Sequence, residues 1–340
     1  MESNDALLSD WRERALALER EVARAVIGQQ SVIRMVNTAI FARGHVLLQG
    51  DVGVGKTTLL RAFAQVLGGA YARTEGTIDL MPGDLVYYTY ISAEGRPAVE
   101  PGPLVRHGED LAIFFFNEIN RARPQVHSLL LRVMAEKSVS AFNREFRFPH
   151  LLVFADRNRV EREETFEISA AARDRFMMEV SIDAPASVAD RKALMFDPRF
   201  HDTDRLVGEL PAAMLPYREL NTVAQAIQRH VQASDALQNY ALGLWRATAE
   251  PAQCGVKLSD VDVSRLMLAG ASPRGMSMLL RAARVAAWLQ GRSFVTPEDL
   301  QAVFVPTLAH RLCLQPVYEL RRHEITGALM AGILGSVAAP

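Results

Sequence analysis

The stretch Gly50-Asp51-Val52-Gly53-Val54-Gly55-Lys56-Thr57 fits the pattern G-x-x-x-x-G-K-[ST]. It stands between a β-rich run, HVLLQ (45–49), and a helical pattern, TTLLRAFAQVLG (57–68). At average composition such a match arises by chance in about one chain in a hundred of this length. The strand–loop–helix setting is also the one its mechanism requires. Glycines let backbone N–H groups turn inward onto phosphate oxygens, and the start of the helix adds partial positive charge. Lys56 is expected to reach the β- and γ-phosphates as a point charge, and the Thr57 hydroxyl to ligate Mg²⁺. The residues expected to contact nucleotide here are Gly50, Asp51, Val52, Gly53, Val54, Gly55, Lys56, Thr57 and Thr58.

Three more continuous apolar runs follow: LAIFFF (111–116), LLVFA (151–155) and FMMEVSI (176–182). Runs without alternation suit strands buried on both faces. Helical patterns such as PQVHSLLLRVMAEK (124–137) lie between them, which predicts an α/β layer around a parallel sheet. Side chains just after LAIFFF emerge at the C-terminal edge of such a sheet, where ligands bind. Glu118 is placed there to orient an attacking water, next to a metal that neutralises phosphate charge. The position expected to hold a metal-supporting acid is Asn117. An amide can hydrogen-bond a metal-bound water but brings no charge. Weaker Mg²⁺ support and slower turnover are expected, and Asn117→Asp is expected to tighten Mg²⁺ binding.

From about Ala184 onward no β-type run of comparable strength recurs, and the patterns are helical. The expected division is residues 1–184, an α/β nucleotide-binding core, and 185–340, a helical domain of ordinary size. Gly291 marks a helix end, and Thr296-Pro297-Glu298-Asp299 supplies an N-cap, a first-turn proline and acids for the next helix. The tail ITGALMAGILGSVAAP (325–340) is shorter than the ~20 residues of a bilayer span and reads as a final core-packing helix. Lys and Arg number 38 against 39 Asp and Glu, a net charge of −1. With no long basic cluster, nucleic acid is not the expected partner. Two cysteines, Cys254 and Cys313, form no disulfide framework or metal spacing. The N-terminus has no apolar signal region, so a cytoplasmic location is expected.

Together with the phosphate loop, Glu118-Ile119-Asn120-Arg121-Ala122-Arg123-Pro124 resembles the MoxR family of AAA+ ATPases. Other stretches resemble that family in order over roughly residues 20–340. The resemblance implies a P-loop AAA+ core followed by an all-helical lid domain, with ATP and Mg²⁺ as ligands. Ile27-Gly28-Gln29 with Gly44-His45-Val46-Leu47-Leu48 resembles the family's leading segment, so Ile27 and Gly28 are implied near the adenine. Ala155-Asp156-Arg157-Asn158-Arg159 resembles the sensor 1 strand end and implies Asn158 as the sensor. Arg173-Asp174-Arg175-Phe176 resembles the arginine-finger turn and implies Arg175 acting on a neighbouring subunit, with Arg173 the alternative. Gly270-Ala271-Ser272-Pro273-Arg274 resembles the sensor 2 segment and implies Arg274. Leu308-Ala309-His310-Arg311-Leu312 resembles the late helix. Departures are Asn117 for the usual aspartate, Arg159 where proline is common, and Val52 where the loop often has proline.

A finger acting in trans implies a homo-oligomer, and a ring because heterologous interfaces that close make rings; six copies are the expected number, which the sequence itself does not fix. The resemblance further implies a von Willebrand A domain partner and a client enzyme into which cofactor or metal is inserted. The segment FFFNEINRARPQVHSLLLRVMAE (114–136) is nearest the branch of the family's name member, which is tied to activation of methanol dehydrogenase. Two inserts, near 84–102 and 136–148, carry hairpin signals around Glu94-Gly95 and Asn143-Arg144. The resemblance places them as the family's helix-2 insert and pre-sensor-1 hairpin, facing the pore or a partner. Three function classes follow. The first is an ATP-driven remodeller of a client protein. The others are a nucleotide switch that hydrolyses weakly and, less favoured by the charge balance, a DNA-directed motor.

Overall fold

A computed structural model describes residues 2–159 and 166–340, with the side chains of 2–4 excepted. Two compact units divide the chain. A sheet unit comprises Glu13–Arg175 and Val180–Asn221, and a helical unit comprises Met1–Arg12, Phe176–Glu179 and Thr222–Pro340.

The first elements are α1 (Glu2–Ala25), α2 (Gln30–Phe41), β1 (His45–Gly50), α3 (Lys56–Leu67), β2 (Ala70–Glu75), β3 (Tyr87–Ile91) and β4 (Pro97–Pro101). There follow β5 (Leu111–Asn117), α4 (Pro124–Glu136), β6 (Ser138–Ala141), β7 (Arg144–Arg147) and β8 (Leu152–Asn158). The short α5 (Ala170–Arg173), β9 (Phe176–Ser181), α6 (Val188–Phe196) and α7 (Thr203–Gly208) complete the series. The sheet runs in the order β2-β5-β8-β1-β9, with β2–β5, β5–β8 and β8–β1 paired in parallel. Every residue of β5 is buried. Phe114, Phe115 and Phe116 are among the largest fully buried side chains, each contributing about 2–3 kcal/mol of apolar burial. The expected strands at 45–49, 111–116, 151–155 and 176–182 are all present.

β2 has no continuous apolar run. Its sequence AYARTE buries only Ala72 fully, as suits an edge strand. The expected hairpins are β3–β4, turning at Gly95 with φ 73°, and β6–β7. In the second, Ala141 already pairs with Arg144. The turn therefore falls on Phe142 and Asn143, both left-handed at φ 52° and 57°, one residue before the sequence signal. The two hairpins touch where Tyr87 meets Phe142 edge-on, ring centres 5.7 Å apart.

The sequence predicts a join soon after Ala184, yet Val180–Asn221 group with the sheet unit. The reason is main-chain bonding to the end of α3: Ala213 N–H donates to Gln65 O at 3.0 Å and Met214 N–H to Val66 O at 2.7 Å.

The later elements are α8 (Leu220–His230), α9 (Asp235–Ala249), β10 (Met267–Ala269), α10 (Pro273–Leu289), α11 (Pro297–Leu308), β11 (Cys313–Leu314) and α12 (Arg322–Ser336). The lid is not entirely helical, because β10 and β11 form a small antiparallel ribbon. Thr296 and Asp299 make the expected capping box on α11. The tail forms α12, which buries Ile325, Leu329, Met330 and Ile333. No helix among the described residues is long and apolar enough to cross a membrane. His310 Nε2 and Arg311 Nη2 both bond the Phe176 carbonyl, at 3.1 and 2.6 Å, so the late-helix segment holds the start of β9.

Candidate nucleotide site at the sheet edge

The site lies where β5, β8 and β1 stand side by side. In the β1–β8 register Gly50 is opposite Asn158, so the first residue of the phosphate loop is level with the predicted sensor. In the β5–β8 register Phe116 is opposite Ala155. One step further along both strands puts Asn117 level with Asp156.

The loop fits a phosphate. Gly53 and Gly55 take φ of 81° and 89°, a region that favours glycine, and a Cβ on either would meet nothing within 4 Å. Gly50 is glycine for a different reason: its Cβ would lie 2.4 Å from Ile182 O. Gly55 starts α3, so the free N–H groups of the helix open toward the loop. Lys56 is buried, and its Nζ bonds Gly50 O and Asp51 O, each at 2.9 Å, and Asn158 Oδ1 at 2.6 Å. Asn158 Nδ2 in turn reaches Glu118 Oε1 at 3.4 Å. Thr57 Oγ1 lies 3.4 Å from Asn117 Oδ1. Thr58 is half-buried in the first turn of α3. Mg²⁺ in such sites takes few protein oxygens and several from water and phosphate, and the adjacent Thr57 hydroxyl and Asn117 amide fit that sparse donor set.

Glu118 has left-handed backbone, φ 51° and ψ 50°, which costs an L-residue about 1–2 kcal/mol. Several contacts hold it there. Its N–H donates to Asp156 Oδ1 at 2.7 Å, and its carboxylate pairs with Arg121 at 3.2 Å. Gly76 N–H donates to Asn117 O at 2.7 Å. A Cβ on Gly76 would sit 2.2 Å from Glu118 O, so only glycine lets β2 approach. From α4, His127 Nε2 lies 2.7 Å from Ile119 O. A carbonyl only accepts, so Nε2 carries the proton, and burial pulls the His127 pKa down, keeping the ring neutral.

Sequence reasoning misses Asp156. Only 1% of it is exposed. Burial is the main influence on its carboxyl and pushes the pKa up to about 6, against the opposing pull of the Glu118 N–H and of the charges on Lys56 and Arg73. The available signal was an acid inside an otherwise apolar strand, LLVFAD.

Ile27 and Gly28 lie between α1 and α2. Gly28 has φ 74°, and its Cβ would meet Pro185 Cβ at 2.7 Å. Gln29 Nε2 bonds Asp183 O at 2.6 Å. This segment therefore docks on the stretch that follows β9, the same stretch against which Gly50 packs. Arg175 does not join the Lys56–Asn158–Glu118 chain of contacts. Its Nη1 donates to Ala171 O at 2.9 Å on α5, while Arg173 is 9% exposed. Arg274 is in the helical unit, exposed on the first turn of α10 behind the N-cap Ser272.

Residues 45–178 match the model of the ATPase family associated with various cellular activities, and 262–326 match the AAA lid domain. Protein MoxR of Methylorubrum extorquens is 59% identical over 336 residues, covering 99% of this chain and 98% of that one. Protein MoxR of Paracoccus denitrificans is 54% identical, covering 99% of each. Chaperone MoxR1 of Mycobacterium tuberculosis is 33% identical, covering 94% of this chain and 81% of that one. Among solved structures, a Cytophaga hutchinsonii protein described as an inferred ATPase superposes with a TM-score of 0.82 at 26% identity, covering 100% of this chain and 98% of that one.

Proposed function

The chain is a member of the MoxR family of AAA+ ATPases, and from that premise we propose that it couples ATP hydrolysis in a homo-oligomeric ring to the activation or maturation of a client enzyme. One observation carries the reading: Lys56, Asn158 and Glu118 form a single chain of contacts at the sheet edge. Such a chain joins a phosphate-holding cation, a sensor of the terminal phosphate and a water-orienting carboxylate.

In this reading the loop from Gly50 to Gly55 cradles the phosphates, and Lys56 exchanges its carbonyl partners for the β- and γ-oxygens. Thr57 and Asn117 hold Mg²⁺, which when bound neutralises charge on the transferring phosphoryl group. Glu118 orients the attacking water, and Asn158 holds it or the γ-phosphate. Arg175 serves the neighbouring subunit and Arg274 senses the γ-phosphate. The adenine is held near Ile27 and Gly28. Six copies, a von Willebrand A domain protein and a client belong to the same proposal. Methanol dehydrogenase is the first client to test, and the cytoplasm is the proposed location. The chaperone name of the M. tuberculosis relative supports the chaperone-like part.

Glu118→Gln tests the reading. Nucleotide should bind as before while turnover falls at least ~10²-fold. Full turnover in that variant would remove Glu118 from the mechanism. A second reading, a switch that hydrolyses weakly, is favoured by Asn117. Single-turnover hydrolysis by the purified oligomer separates the two.

A further inference from the structure

We propose that Asp156 is the acid of this nucleotide site: from the neighbouring strand it holds Glu118 in its working conformation and supplies the negative charge that Asn117 lacks. The proposal rests on the ATPase reading above and deepens it.

Position comes first. The β5–β8 register puts Asp156 level with Asn117, one strand away. A carboxylate there stands at the same height on the sheet as the missing one. It is also one step before Arg157 and two before Asn158, whose side chain meets Lys56.

Contacts come second. Asp156 Oδ1 accepts the Glu118 N–H at 2.7 Å. That bond bears directly on the peptide whose left-handed geometry aims the Glu118 side chain. A merely space-filling residue would need no acceptor, and a backbone N–H could be satisfied by an uncharged one.

An acid buried to this degree is costly to keep ionised unless a cation compensates it. The groups that bear on Asp156 electrostatically are Lys56 and Arg73, both cationic, and the Glu118 carboxylate. Lys56 is the cation of the phosphate loop. Its charge favours the ionised form of Asp156. In this chain Asn117 leaves the β5 tip neutral, so Asp156 is the buried carboxylate standing level with it. It acts through Glu118 and Lys56 and is a positioning residue.

A charge-relocation cycle on the full chain tests this. Four proteins are compared: native, Asp156→Asn, Asn117→Asp and the double variant. Each is read by melting midpoint, by kcat and KM, and by binding of a fluorescent ATP analogue across a Mg²⁺ titration. Asparagine keeps an acceptor for the Glu118 N–H and removes the charge. Asp156→Asn should fold, lose about tenfold or more in kcat and require more Mg²⁺ for tight binding. In that background Asn117→Asp should restore both, because the acid has only moved one strand across. In the native background the same substitution sets two carboxylates side by side, and its benefit should be smaller by roughly threefold or more, the signature of coupled neighbours. If Asp156→Asn does not fold, Asp156→Thr, which also keeps an acceptor, takes its place in the cycle. The proposal fails if the Asp156 variant matches native kcat and Mg²⁺ requirement. It fails equally if Asn117→Asp has the same effect in both backgrounds. Glu118→Gln separates the two levels: turnover abolished there but intact in the Asp156 variant sinks this inference alone. Turnover intact in Glu118→Gln sinks the reading beneath it.

Discussion

Lys56 Nζ sits 2.6 Å from Asn158 Oδ1, and the same carboxamide turns its nitrogen toward Glu118 at 3.4 Å. One short side chain therefore links the lysine of the glycine-rich loop to the Glu118 carboxylate. Asn158→Ala removes that link but leaves Lys56 its two main-chain carbonyls. Turnover should fall roughly 10²-fold, as for loss of one pre-aligned polar group, while nucleotide affinity changes little. Steady-state ATPase rates beside equilibrium binding of a fluorescent nucleotide check this. An equal loss in both would mean that Asn158 shapes the loop and does not act on the reacting phosphate.

Gly76→Ala should damage the site from behind. The added Cβ would overlap the Glu118 carbonyl, and neither backbone can yield without moving Glu118. A loss of about 1–3 kcal/mol is expected from such overpacking, read as a lower melting midpoint. Turnover should fall by more than the unfolded fraction explains. Wild-type turnover with a normal melting point would show that β2 can retreat without disturbing Glu118.

Acidity should act through Asp156 when no nucleotide is bound. Its carboxyl titrates near 6 in the folded chain, raised chiefly by burial, against an ordinary value near 3.8. The Glu118 carboxylate raises it further, while the Glu118 N–H, Lys56 and Arg73 hold it down. Between those values the folded state binds more protons than the unfolded one, so stability declines as pH rises. The Asp156 contribution is fully present below about 4 and lost above about 6, amounting to roughly 2–3 kcal/mol. Urea midpoints from pH 4 to 7.5 should show Asp156→Asn lacking this decline. A difference between the two proteins that stays constant across the range would refute the assignment.

Arg175 is tested by mixing. Arg175→Ala and Lys56→Ala should each be inactive alone, because one lacks the finger and the other the cradle. Mixed subunits should recover part of the activity if a finger from one serves the cradle of the next. Arg173 is the weaker candidate because it is buried in its own subunit. Absence of recovery, with co-assembly shown by affinity tags, would count against Arg175.

What the sequence made legible were the elements that carry their own signal. β1, β5, β8 and β9 are continuous apolar runs, and the phosphate loop is a local pattern. β2 was hidden because an edge strand with Arg73, Thr74 and Glu75 has no run to find. Residues 185–221 look like part of a helical half, and it takes the main-chain bonds of Ala213 and Met214, with the Arg61–Asp204 ion pair, to show that they belong with α3. Asn117 and Glu118 could be named from a strand end, and Asn158 from the family resemblance around 155–159. Asp156 could not, because its importance depends on the backbone angle of Glu118 and on a register between strands 35 residues apart in the chain.

His127 adds a mechanical consequence. Its bond to Ile119 O fastens the turn that bears Glu118 to the start of α4. The same helix runs directly into the β6–β7 hairpin, whose tip presents Phe142 at the surface against Tyr87 of the other hairpin. The aromatic tip and the peptide beside Glu118 are thus joined through one continuous helix. Under the proposed remodelling role, grip on a client at that tip and hydrolysis beside Glu118 would share one lever arm.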